Sequence, residues 1–300
     1  MLKGAIELAD RIVTVSPSYA DEILTAPGGW GLEEQCVRRH MYLEGVLNGI
    51  DTAEWDPSTD VYLSACYQGG RDNHFSASDM SGKLRAKHHV QRAFGLIERD
   101  DVALLVFVGR LVHQKGVDLI AEIVPWLMSR DHACVTGRAQ LIVLGRGDDK
   151  YERLLLSLQH TYAGRFVCCV GYSKELEHQL IAAADMLLMP SRYEPCGLPQ
   201  MYALRYGTVP VVHATGGLRD SVIHQDPLMP LGTGWKFHGV QDCEALKGAL
   251  WSALKTYLTA KDSWRTLTAR CMTQDFSWRS AARRWASICA STLALPSYIA

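Results

Sequence analysis

The chain has 300 residues, 48% of them hydrophobic and 21% charged, with a formal net charge of −1. That length buries a large core in one or two domains, and the proportions are those of an ordinary soluble globular chain. Lys and Arg are mixed among Asp and Glu with no basic block, which argues against a nucleic-acid surface, and no apolar run has the length of a membrane span.

The opening MLKGAIELADRIVTV has neither the layout of a signal peptide nor the Ser- and Arg-rich look of a transit peptide. It reads as the interior of a domain. RIVTVS is short and β-branched and predicts a strand. SPSYADEILT follows, with Ser16 as N-cap and Pro17 at the first helical position. MYLEGVLNGID predicts a second strand closing in a Gly-containing turn. From Thr52 to about Asp101 the chain is polar and irregular, so residues 61–100 are expected as linker and surface loop, with one helix around Lys83 to Phe94.

Beyond Asp101 five apolar runs, VALLVFVG, AQLIVLG, RFVCCVG, DMLLMP and VPVVHA, alternate with five helix-like runs that begin at Gly116, Lys150, Lys174, Leu198 and Gly217. Continuous apolar strands between amphipathic helices predict βαβ units around a buried parallel sheet, a Rossmann-like α/β domain over residues 101–240. Right-handed crossovers bring every strand's C-terminal end to one edge. From Gln241 the tail is helical. Trp278, Ala282, Trp285 and Cys289 share one stripe, which predicts packing against a partner surface. The nine cysteines show no CxxC pair and no zinc spacing. They are expected as reduced thiols, mostly buried as small hydrophobes.

Four turns lie at that strand edge. FVGRLVHQKGVDLI sets Arg110 and Lys115 beside a helix start, where free N–H groups already favour an anion; the pair reads either as solvated surface charge or as a diphosphate seat. VLGRGDDK, with Gly145 and Gly147, reads as a simple turn. CCVGYSKELE carries Tyr172, placed to stack on a base or to pack, and Ser173 as an N-cap. MPSRYEPCGLPQMYALRYGTVPVVHATGGLRD places Glu194 between a strand and a helix and ends in Thr215, Gly216 and Gly217, whose small residues let backbone N–H groups approach a phosphate.

These residues resemble the starch synthase and bacterial glycogen synthase family of glycosyltransferases. The matches ADRIVTVS, LNGID, GRLVHQKGVDLI, GYS, PSRYEPCGLPQMYALRYGTVPVVHATGGLRD, GTGWKF and TQDFSWRSAARRW run through nearly the whole chain in the family's order. The resemblance implies the C-terminal part of a GT-B enzyme, in which two Rossmann-like domains face each other. It implies that residues 1–60 end the N-terminal domain, that 101–240 bind the donor nucleotide, and that 241–300 cross back. It implies that Arg110 and Lys115 hold the diphosphate and that Glu194 orients the glucose. Cys196, Gly197 and Leu198 would line the sugar, and Thr215, Gly216 and Gly217 would form a phosphate-facing helix start. Tyr172 would meet the adenine, and Asn48 would face the cleft from the other side.

The implied reaction moves glucose, with retention, from ADP-glucose to the 4-hydroxyl of an α-1,4-glucan, with no cofactor or metal. The implied location is the plastid of a plant or alga, or a bacterial cytoplasm. The family's Lys-x-Gly-Gly-Leu loop has no counterpart in MLKG, so most of the N-terminal domain is expected to be missing and the isolated chain to elongate glucan little. A non-catalytic nucleotide- or glucan-binding remnant fits that absence equally. Another two-domain transferase fits less well, because Tyr202 stands where such enzymes carry a second Glu. A nicotinamide dehydrogenase is disfavoured by the lack of a Gly-x-Gly-x-x-Gly turn.

Overall fold

The computed structural model describes residues 1–64, 73–131, 135–226, 231–239 and 242–294. Cys66, Cys134 and part of the expected linker lie outside the described residues. The N-terminal portion supplies α1 (Leu2–Leu8), β1 (Ile12–Thr14), α2 (Pro17–Glu22), α3 (Ala26–Gly29), α4 (Glu33–Arg38) and β2 (Leu43–Gly45). The predicted strand, helix and strand are all there, and β1 and β2 pair in parallel. Ser16 caps α2 by accepting the Tyr19 N–H at 3.2 Å, with Pro17 in the first turn. Helices α1, α3 and α4 span seven residues or fewer, too short to show a period in the sequence.

Next come α5 (Val61–Ser64) and α6 (Ser81–Ala93), the latter where a helix was expected. The rest of the stretch read as surface loop behaves differently. Trp55, Leu63 and Phe75 are buried in one cluster with Leu104, Val106 and Leu187 of the sheet. A few widely spaced apolar anchors in a polar background leave no periodicity to read.

The sheet follows as β3 (Ala103–Val108), α7 (Val117–Met128), β4 (Ala139–Gly145), α8 (Asp149–Thr161), β5 (Phe166–Val170), α9 (Lys174–Ala183), β6 (Met186–Met189), α10 (Pro199–Arg205), β7 (Val209–His213) and α11 (Gly216–Ser221). All ten are the elements predicted. A further strand, β8 (Trp235–Phe237), was not predicted; three residues are too few to register as a run. The tail forms α12 (Cys243–Thr259), α13 (Lys261–Met272) and α14 (Trp278–Leu293). The six strands are parallel in the order β5-β4-β3-β6-β7-β8. One face packs against α7, α8, α12 and α13, the other against α6, α9, α10 and α11. Strands β3, β4, β6 and β7 are buried throughout, and burial on both faces is why they are apolar except at Gln140 and His213.

The tail helix leaves its tryptophan stripe largely open. Trp278 is 50% exposed and Trp285 40%, and Cys289 is exposed, while Ala281 and Ile288 are the buried residues of α14. The helix does return to the N-terminal portion. The Ile50 N–H donates to the Phe276 carbonyl at 2.8 Å, and Arg284 pairs with Glu44. The Trp278 backbone lies against Gly49, where a Cβ would come within 2.5 Å of it. All seven described cysteines are free thiols.

Lys83 of α6 is buried beside the sheet, its ammonium donating to the Ala182 carbonyl at 2.9 Å and to Thr208 Oγ1 at 2.6 Å. Burial pushes this amine down to about 7; Asp185 and Cys271 pull it up and Lys87 pushes it further down. Below pH 7 folding therefore carries the full cost of a buried charge. That cost fades as pH rises from 7 toward the ordinary lysine range, so stability rises across this window. Lys83→Met is expected to raise Tm at pH 7 by several degrees and to lose that advantage by pH 10. Melting curves of both proteins at the two pH values check this; a constant difference refutes it.

Candidate functional site

Strands β3, β4 and β5 step outward in one direction and β6, β7 and β8 in the other, so the order reverses between β3 and β6. Loops leaving two such strands part to either side and open a crevice, the usual ligand position in an open α/β sheet. The loop after β3 carries Arg110 and Lys115, and the loop after β6 carries Glu194 and Cys196.

Gly116 lets the two loops meet. Its φ is +69°, and a Cβ there would lie 2.2 Å from the Pro190 carbonyl oxygen. Across this contact the Arg192 N–H donates to the Gln114 carbonyl at 2.8 Å, and Gln114 Nε2 donates to the Tyr193 carbonyl at 3.1 Å. So held, the Lys115 ammonium pairs with the Glu194 carboxylate, which also accepts the Ser191 hydroxyl at 3.0 Å. The side chains of Lys115 and Glu194 are only 18% and 8% exposed. Arg110 is exposed at the rim and donates to Gln114 Oε1 at 3.0 Å.

The β6 loop runs into α10 with Pro199 in its first turn. No described group accepts the N–H of Gly197 or Leu198. The start of α11, expected as a phosphate seat, meets groups of the chain itself. Glu22 Oε1 accepts the Gly216 N–H at 2.7 Å and the Thr215 hydroxyl at 2.8 Å, and the Gly217 N–H donates to the Glu194 carbonyl at 2.9 Å. Both N–H groups are already used. These glycines instead allow α11 to press against the turn bearing Glu194 and Cys196. On the near side, Asn48 reaches the Cys196 thiol, whose titration burial shifts upward and the Asn48 contact moderates. The Ser16 hydroxyl donates to the Pro195 carbonyl at 2.6 Å.

Two cavities adjoin along this edge. The larger, about 600 Å³, is lined by Lys115, Tyr172, Glu194, Gly197 and Leu198 among others. The smaller, about 390 Å³, is bounded by Val108, Arg110, Leu144, Tyr172 and Pro199. Tyr172 is 79% exposed at the rim of both. The edge thus gathers Arg110, Lys115, Tyr172, Glu194, Gly197 and Leu198, with Asn48 and Cys196 beneath. Thr215 lines a separate cavity with Glu22 and Tyr193.

Sequence reasoning missed what walls the larger cavity. The Trp55 ring is sandwiched between His178 and Tyr202, with centroids 3.7 Å away on each side. His178 Nδ1 meets buried Asp60 at 2.9 Å, and the Tyr206 hydroxyl donates to the same carboxylate at 2.7 Å. These residues come from three separate stretches and share no motif. Glu22 was also missed, though its place in the helix capped by Ser16 is a local signal.

A family profile described as "Glycosyl transferases group 1" matches residues 92–264, and one described as "Starch synthase catalytic domain" matches residues 1–37. The chain is 44% identical over 285 residues to granule-bound starch synthase 2, chloroplastic/amyloplastic, of Solanum tuberosum, covering 95% of this chain and 36% of that protein. It is 45% identical over 290 residues to soluble starch synthase 1 of Oryza sativa subsp. japonica, covering 96% of this chain and 43% of that one. Among solved structures, the catalytic domain of Starch Synthase IV from Arabidopsis thaliana bound to ADP and acarbose superposes with a TM-score of 0.86 at 32% identity, covering 98% of this chain and 58% of that one. The chain spans 36% and 43% of the length of these two curated relatives.

Proposed function

This chain belongs to the group 1 glycosyl transferases and is similar to the starch synthases over nearly its whole length; on that premise we propose that its crevice holds ADP-glucose and serves glucose transfer to the 4-hydroxyl of an α-1,4-glucan with retention. The observation that carries this reading is the meeting of Lys115 with Glu194 between β3 and β6, below two unclaimed N–H groups. The relative solved with ADP and acarbose supports it. The diphosphate lies against Arg110, Lys115 and the N–H groups of Gly197 and Leu198. An ammonium has three donors, so Lys115 serves Glu194 and a phosphate oxygen together. Glu194 accepts hydroxyls of the glucose and is not a covalent nucleophile. Tyr172 covers the adenine.

As the sugar–phosphate bond breaks, negative charge grows on the departing ADP, and the two cations and the N–H groups stabilise it. A unit charge about 4 Å away contributes roughly 4 kcal/mol at an effective dielectric of 20. In the same proposal residues 101–240 form the donor unit, residues 1–60 end the acceptor-side unit, and 241–300 cross back to it. The plastid location rests on the chloroplastic and amyloplastic relatives.

Calorimetric titration of the chain with ADP and with UDP tests the reading. ADP is expected to bind more tightly, and Arg110→Ala to weaken it about tenfold, the loss of one charge-assisted contact. An Arg110→Ala chain that binds ADP as the parent does would sink it. Transfer of labelled glucose from ADP-glucose to glycogen, by a protein that contains these residues, is the accompanying readout.

A further inference from the structure

The two adjoining cavities share one wall, formed by Tyr172, Glu177 and Pro199. Four carboxylates line the larger cavity: Asp51, Glu54, Glu177 and Glu194. Three are engaged. Asp51 accepts the N–H groups of Ala53 and Glu54 at 2.9 and 3.1 Å, Glu54 pairs with Lys174 at 2.6 Å, and Glu194 is held by Lys115 and Ser191. The Glu177 side chain has no hydrogen bond or ion pair among the described residues. It is half-buried, and burial holds its carboxyl above the usual range; His178 and Lys174 pull it down and Glu54 pushes it up. A partly desolvated acceptor with nothing to accept from carries a cost that a ligand's donors would relieve.

The order of groups in a nucleoside diphosphate sugar decides which donors arrive there. The cavity with Lys115 and Glu194 takes the sugar and its phosphates under the reading above. The smaller cavity, lined by Val108, Leu144 and Pro199 with Arg110 and Arg146 beside them, is a largely apolar slot that suits a flat base, its Arg110 within reach of the phosphates next door. The ribose joins the two, so it lies at the shared wall. We propose that Glu177 is a specificity-determining residue whose carboxylate accepts hydrogen bonds from the vicinal 2′- and 3′-hydroxyls of the donor's ribose. This inference rests on the donor-nucleotide reading of the site. Two neighbouring hydroxyls suit the two oxygens of one carboxylate, which accepts and never donates when ionised.

The test is calorimetric titration of the chain, the parent and its Glu177→Ala and Glu177→Gln variants, with ADP, 2′,3′-dideoxy-ADP, IDP and pyrophosphate. The parent is expected to bind ADP about tenfold more tightly than the dideoxy analogue, the scale of a charge-assisted contact. Glu177→Ala is expected to abolish that preference through weaker ADP binding alone, and Glu177→Gln to reduce it. Pyrophosphate affinity should hold or rise in both, a result that a damaged fold would not give. Variants that keep the parent's preference overturn the inference while leaving the nucleotide reading standing. A change in the ADP-to-IDP ratio instead also overturns it, because the carboxylate would then read the base. A parent that binds neither ADP nor pyrophosphate defeats the nucleotide reading itself.

Discussion

Lys115→Met is expected to weaken ADP binding, and to slow any transfer the protein performs, by two to three powers of ten. The variant removes roughly 4 kcal/mol of attraction to a phosphate about 4 Å away at an effective dielectric of 20. At about 1.4 kcal/mol per tenfold, that is close to three powers of ten. It also strands Glu194, whose side chain is 8% exposed and would keep only the Ser191 hydroxyl as a described side-chain partner. Removing one member of a buried pair costs about 3–5 kcal/mol of stability, because the remaining charge is desolvated and uncompensated. The two losses separate in the double variant Lys115→Met, Glu194→Gln. That protein should regain most of the stability, since no buried charge is left over, and should regain none of the ADP affinity. Melting curves and titrations of the two single variants and the double complete the cycle. If the double variant is as unstable as Lys115→Met, the stranded carboxylate is not the cause.

Gly217→Ala is expected to disable the site without touching any group that meets a ligand. A Cβ on Gly217 would lie 1.9 Å from the Cys196 carbonyl oxygen and 2.5 Å from its carbon, both backbone atoms. The turn bearing Glu194 and Cys196 would have to retreat by more than an ångström, or α11 would have to move off β7. The hydrogen bond from the Gly217 N–H to the Glu194 carbonyl would go with it. A displacement of about 1 Å near reacting groups costs on the order of a hundredfold in rate, and a backbone clash in the core costs about 3 kcal/mol. Gly248→Ala in α12 is the matched control, because nothing lies within 4 Å of a Cβ there. It should stabilise the chain by about 0.5–1 kcal/mol, as alanine does in a helix. An ADP titration with Gly217→Ala that matches the parent would show that the turn tolerates the crowding.

The residues of the crevice edge were legible because each follows an apolar strand in a Gly- or Pro-containing turn. Arg110 and Lys115 follow VALLVFVG, Tyr172 follows RFVCCVG, and Glu194 follows DMLLMP. Parallel strands with right-handed crossovers bring such turns to one edge whatever the strand order. At Gly216 and Gly217 the sequence was less specific, because a paired glycine at a helix start signals close approach without saying what approaches. Here it is the Glu194 turn on one side and the Glu22 carboxylate on the other.

The amino-acid sequence alone determined the alternation of buried strands and amphipathic helices, the caps at Ser16 and Ser173, and the set of turns at the functional edge. These are local matters of period, propensity and backbone freedom. The tertiary structure alone decided that the order reverses between β3 and β6, that Trp55 lies between His178 and Tyr202, and that Glu22 occupies the start of α11. Each of these joins residues at least 81 positions apart. Hydrophobic periodicity reports only whether a segment is buried, and carries no record of what buries it.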